Sequence, residues 1–108
     1  MQVTMKNNPY SGWSANTEVD LDITAEGKQR SIEFSTHKGH KGLMTSCTIW
    51  EKSEGSRSTE LFGKGYTAPI QWTVCKRVTE KAVKEAHLAL QEFIELHIAE
   101  AKKFYGVA

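Results

Sequence analysis

The sequence has no long apolar run; its longest, Leu88-Ala89-Leu90, is three residues. A membrane-spanning helix needs roughly 20 apolar residues in succession, so none is expected. The opening stretch MQVTMKNNPY has no charged start followed by an apolar block, and no secretory signal is read from it. Cysteine is scarce. Cys47 and Cys75 form no CxxC pair and sit among apolar neighbours. A free thiol there behaves as a small hydrophobe. Without secretory context no disulfide is expected, and the compartment is read as cytoplasmic. Internal repeats, low-complexity tracts and linkers are also missing.

What remains is a chain of 108 residues, 39% apolar and 25% charged, which fits one soluble globular domain over residues 1–108. That size can bury a modest core without disulfides or metals. The net charge of +1 hides an uneven distribution. Residues 1–27 carry one basic and four acidic side chains, residues 28–77 nine and four, and residues 78–108 four and five. The middle of the chain is therefore basic, an asymmetry that can mark an anionic partner.

Hydrophobic alternation marks the strands. Val19, Leu21 and Ile23 alternate with Glu18, Asp20 and Asp22 over Glu18–Thr24, the pattern of a strand with one wet face. After a turn at Ala25–Lys28, Gln29–Thr36 alternates again with Ile32 and Phe34 inward, completing a hairpin. The segment HKGHKG, His37–Gly42, reads as a loop. Leu43–Glu51 is a third strand, with Leu43, Cys47 and Ile49 on one face and Met44 and Trp50 on the other. A loop over Lys52–Arg57 leads to a fourth strand over Thr59–Tyr66, whose Gly63 and Gly65 suggest a bulge or a close backbone approach. Pro69–Cys75 fits a strand or the start of a helix, QVTM an edge strand, and Asn8-Pro9 a turn.

From Thr79 to Tyr105 the period changes to that of a helix. Thr79 suits an N-cap and Gly106 a stop. One arc collects Ala82, Val83, Ala86, Leu90, Phe93, Ile94, Ile98, Ala101, Phe104 and Tyr105. His97 falls near the centre of that arc, where it would need a partner in the sheet, and His87 at its edge. The expected fold is α+β: an antiparallel sheet of four to five strands, a meander of hairpins, followed by one long C-terminal amphipathic helix packed on one face. About 27 residues would make roughly 40 Å of helix. That exceeds the width of such a sheet, so one end projects or is covered by a second subunit, as in a homodimer.

No catalytic constellation emerges, and no enzyme activity, cofactor or metal is expected. His37 and His40 have H-x-x-H spacing, but zinc needs three or four protein ligands and no third is at hand. Glu18, Asp20 and Asp22 could hold a cation, and are explained equally by a wet strand face. Lys76 and Arg77 precede the helix N-terminus, where cations oppose the dipole unless an anion joins them. With Lys38, Lys41 and Lys64 they form the candidate site for an anion or nucleic acid. Trp13 and Leu88 are the candidates for a partner surface.

The order of strands followed by a helix, with the GKGY segment Gly63–Tyr66 leading toward that helix, resembles the single-stranded nucleic-acid-binding coactivator-type and Whirly-type proteins. That resemblance implies a curved basic sheet and dimerisation. In size and style the chain also resembles small phage or mobile-element accessory proteins. The expected function is that of a small non-enzymatic interaction protein that binds another macromolecule, a protein ahead of a nucleic acid. The alternative is single-stranded nucleic-acid binding through the basic sheet half.

Overall fold

A computed structural model describes residues 2–23, 25, 27–39, 42–53, 56–60, 68–73 and 78–106. Six strands precede two helices: β1 (Thr4–Asn8), β2 (Gly12–Leu21), β3 (Gln29–Gly39), β4 (Gly42–Ser53), β5 (Ser56–Glu60), β6 (Ala68–Thr73), α1 (Glu80–Leu88) and α2 (Gln91–Phe104). The strands β1 to β4 form an antiparallel meander. The far edge of β4 is shared, by β5 along Ile49–Ser53 and by β6 along Leu43–Cys47. This is an α+β arrangement with the helical segment at the C-terminal end.

The strands run past the limits that apolar alternation marks. Gly39 pairs with Gly42, so the expected HKGHKG loop shrinks to the two residues between them. Ser53 pairs with Ser56, shortening the expected Lys52–Arg57 loop in the same way. Polar residues hold extended backbone here because the neighbouring strand satisfies their N–H and C=O groups. The expected fourth strand over Thr59–Tyr66 is instead β5, Ser56–Glu60, and residues 61–67 lie outside the described ones. The ambiguous Pro69–Cys75 segment contributes β6, with a register shift opposite Thr45 and Ser46 beside Pro69. Proline cannot donate to a ladder, and an irregular edge strand tolerates it.

Both helices cover one sheet face. Its inward residues form two apolar clusters. Val83 of α1 packs on Ala15 and Leu43, with Met5, Trp13, Val78 and Ala86 around them. Ile94 and Ala101 of α2, with Tyr105, pack on Leu21, Ile32, Phe34, Cys47 and Ile49. Burying a side chain such as Ile94 contributes about 1.5–3 kcal/mol. Burial pushes the Cys47 thiol up to about 12, so it stays protonated and inert at neutral pH.

The single long helix is corrected to two. After Leu88 the ladder tightens: Leu90 N–H bonds to His87 C=O at 3.1 Å, one residue nearer than in an α-helix, and α2 then restarts with Ile94 N–H on Leu90 C=O at 2.8 Å. Neither glycine nor proline marks this site. The cause is tertiary. A twisted sheet turns away beneath a straight rod, and two shorter helices can each follow their own cluster. Thr79 caps α1 as expected, its hydroxyl accepting from Ala82 N–H at 3.1 Å.

His87, beside that break, is fully buried between the clusters. Its Nε2 lies 2.7 Å from Thr17 Oγ1 on β2, and its Nδ1 lies 2.8 Å from Thr36 Oγ1 on β3. Thr36 Oγ1 is in turn 2.7 Å from Thr45 Oγ1 on β4. A neutral imidazole offers one donor and one acceptor, and the hydroxyls can orient to match either tautomer. One side chain of α1 thus reaches a hydroxyl ladder across three strands. At the other end of the helical segment, Tyr105 C=O accepts from Ala25 N–H at 3.1 Å. The Arg30 guanidinium lies 4.4 Å from the centre of the Tyr105 ring and 3.6 Å from Glu51. Gly106 ends the segment at φ 61°, and a Cβ there would stand 2.9 Å from Ala25 Cβ.

Two outcomes test this packing. Burial without a charged partner lowers the His87 pKa from its ordinary 6.5. The unfolded chain therefore binds the proton more readily. Stability is full above pH of about 6.5 and falls as pH drops toward the lowered value, a positive slope with pH in that window. Urea midpoints should follow that course, and a His87→Gln variant should lose most of the slope. Gly106→Ala forces a side chain into left-handed backbone and against Ala25. It should cost about 1–2 kcal/mol in the same urea titration.

Candidate functional site

Of the expected anion-site residues, Lys38 is exposed near the end of β3, and Lys41, Lys64, Lys76 and Arg77 lie outside the described residues, as do His40, Cys75 and Gly63–Tyr66. Trp13 is half-buried and packs on the cluster around Ala15 and Val83. Leu88 is exposed at the end of α1, in a depression it shares with Ala89, Gln91, Glu92 and Glu95. His97 does not find a sheet partner for its nitrogens. It is half-buried, its Nδ1 lies 2.9 Å from Phe93 C=O of its own helix, and its ring stacks on Phe93 at 4.3 Å. The buried imidazole is His87, which the helical arc puts at its edge. At 100° per residue His87 falls within about 40° of Val83, Ile94 and Ala101, the narrow stripe that is buried.

The face of the sheet turned away from the helices has a graded chemistry. Its cross-strand rows follow from the register. One end carries Lys6 opposite Ser14, with His37 opposite Met44. Next come Thr4, Asn16, Ser35 and Ser46 in line. Beyond them stand Glu18, Glu33 and Thr48, and then Asp20, Ser31 and Trp50. The acidic rows are partnered internally: Ser31 Oγ donates to Glu18 at 2.9 Å and Trp50 Nε1 donates to Glu33 at 3.3 Å. Glu18 and Glu33 stand four residues from Ser14 and His37, roughly 13 Å along the strands.

At the Lys6 end the β1–β2 turn projects Tyr10, which is 98% exposed. Asn8 Oδ1 accepts from Tyr10 N–H at 2.9 Å, an Asx turn that fixes the backbone under the ring. A shallow depression of about 430 Å³ lies beside it, lined by Lys6, Asn8, Pro9, Ser14, Ser35 and His37 among others. The Asn16 amide donates to Ser14 Oγ at 3.0 Å, and Ser35 Oγ lies 3.3 Å from His37 Nδ1. Gly12 and Val78, whose side chain would meet a Cβ on that glycine at 3.1 Å, mark the same end of the molecule. Sequence reading passed over Tyr10. Its signal was local, an aromatic directly after Asn-Pro in a tight turn.

A second exposed feature runs along α2. Phe93, Leu96 and Phe104 are 41%, 54% and 58% exposed. The expected apolar arc placed Phe93 and Phe104 in the core; they stand outside it, because α2 buries only the narrower stripe centred on Ile94 and Ala101. At about 100° per residue the three exposed side chains share an arc of about 80° and span about 16 Å of helix. Glu100 falls within the same arc and gives the strip one charge.

No family model matches the chain, and neither the curated proteins nor the solved structures compared with it return a match.

Proposed function

We propose that this is a small non-enzymatic interaction protein that docks on another protein through the flank of α2, with a second copy of the chain as the first occupant to test. The observation that carries the reading is the strip of Phe93, Leu96 and Phe104, three large apolar side chains left outside the core on one side of a helix. Single exposed apolar residues need no explanation, whereas an aligned set does. Aromatic and aliphatic anchors of this kind dominate binding energy at protein interfaces. The strip is built on rigid structure, since α2 is anchored from below by Ile94 and Ala101 and closed at its end by Tyr105. No described helix is long and apolar enough to cross a membrane.

The non-enzymatic part of the reading has two supports. The His87 imidazole is sealed between threonines and used for packing. The described thiol, Cys47, is buried and held neutral. Light scattering and sedimentation of the full chain, against a Leu96→Glu/Phe104→Glu variant, test the proposal. Both positions are exposed, so folding should survive. The native chain should self-associate reversibly and the variant should be monomeric. A native chain that stays monomeric at all concentrations removes the second copy. If the variant also retains every partner captured by the native chain from host extract, the docking surface itself is refuted.

A further inference from the structure

We propose that the Lys6–Tyr10 end of the uncovered sheet face binds a single-stranded nucleic acid, with a phosphate on Lys6 and a base stacked on Tyr10. The proposal is independent of the α2 flank, which lies on the helical side of the sheet. Three observations carry it. Tyr10 is almost wholly in solvent, on a turn whose backbone is fixed by Asn8. A buried tyrosine ring contributes to the core; one held out in water contributes nothing to folding and offers a flat π-face. Every base has a complementary face, so such stacking tolerates any sequence.

The surface next to that ring is rich in donors. Lys6, Ser14, Ser35, His37 and the Asn8 amide line the depression, and no carboxylate is among its lining residues. Lys38 follows His37 on the same strand and so turns to the opposite, helix-covered face, outside this surface. Phosphodiester oxygens accept hydrogen bonds and carry negative charge, so they match both properties. The nearest acidic rows, at Glu18 and Glu33, are two rows farther along the sheet, and their carboxylates are engaged by Ser31 and Trp50. Charge along this face therefore runs from basic to acidic, and a polyanion is drawn to one end only.

The shape selects a single strand. The depression is shallow and open rather than a groove that would grip a duplex, and an exposed ring at a hairpin tip can stack only on a base that is not already paired on both faces. Ribose and deoxyribose strands share the chemistry used here. They are separated by the experiment rather than by the argument.

Fluorescence anisotropy of labelled oligo(dT) and oligo(rU) with the full chain at low salt tests the proposal. The expected result is binding of at least one of them that weakens as salt rises. Tyr10→Ala should weaken it at least about fivefold, the lower end of the range for loss of one stacked base. Lys6→Glu should weaken it as well. Lys103→Glu makes the same change in net charge at the far end of α2 and should leave affinity within about twofold. Circular dichroism checks that each variant is folded. If Lys6→Glu were to unfold the chain, Tyr10→Ala, in solvent on all sides, still decides. No binding at low salt overturns the proposal. Equal weakening by the two lysine variants, or a duplex of the same length binding as tightly as the single strands, overturns it as well.

Discussion

A buried imidazole with no charged neighbour is the constraint around which the helical layer is arranged. His87 must exchange water for protein partners or unfold the segment that carries it. It finds them in Thr17 and Thr36, and Thr36 passes the bond on to Thr45. These threonines occupy inward positions that apolar side chains would otherwise fill. Each hydroxyl without its partner would cost about 1–3 kcal/mol. The site is therefore paired on both sides, and α1 can sit at only one height on the sheet. An apolar stripe alone tolerates sliding by a turn; a histidine between two hydroxyls does not. Fixing α1 there also fixes where α2 must begin, and so which residues of α2 remain outside the core.

Much of the sheet was legible because its inward positions are apolar where it matters. Ile32, Phe34, Cys47 and Ile49 alternate plainly and are buried as read. The ends of the strands were not legible. His37, Lys38 and Gly39 continue β3 with no apolar signal, because backbone pairing with β4 rather than side-chain burial holds them extended. The inward threonines were invisible for the same reason. A polar residue at an inward position is read as outward unless its partner is known, and the His87 partner of Thr17 and Thr36 is 70 and 51 residues away in sequence. Thr79 and Gly106 were readable because caps act locally.

The helix shows the limit of periodicity most clearly. A uniform step of 100° per residue placed His97 at the centre of the buried arc and His87 at its edge. The buried stripe is narrower than that arc: at the same step Val83, His87, Ile94 and Ala101 fall within about 40° of one another, so His87 lies inside it and His97 toward its rim. Phe93 and Phe104 belong to the wide apolar arc but stand outside that narrower buried stripe. Nothing in the residues 88–91 announces the break. It is imposed by two clusters on a twisted sheet, which a single axis could not cover together.

The two candidate surfaces follow from this one-sided construction. Covering a sheet on one face with a short helical segment leaves the other face open, and an open face must be polar to stay in water. Here it is polar in a graded way, from Lys6 and His37 to Glu18, Glu33 and Asp20, because the β1–β2 and β3–β4 turns meet at one end while the acidic half of β2 runs to the other. An antiparallel meander brings alternate turns to the same end, so charges far apart in sequence become neighbours in pairs. The basic middle of the chain and the nearly uncharged start of it, with Lys6 its one cation before Glu18, are thereby joined at the end that also exposes Tyr10. Charge counted along the sequence pointed to residues 28–77 alone. Strand order adds residues 4–14 to that field and leaves Arg30, locked against Glu51 and Tyr105, out of it.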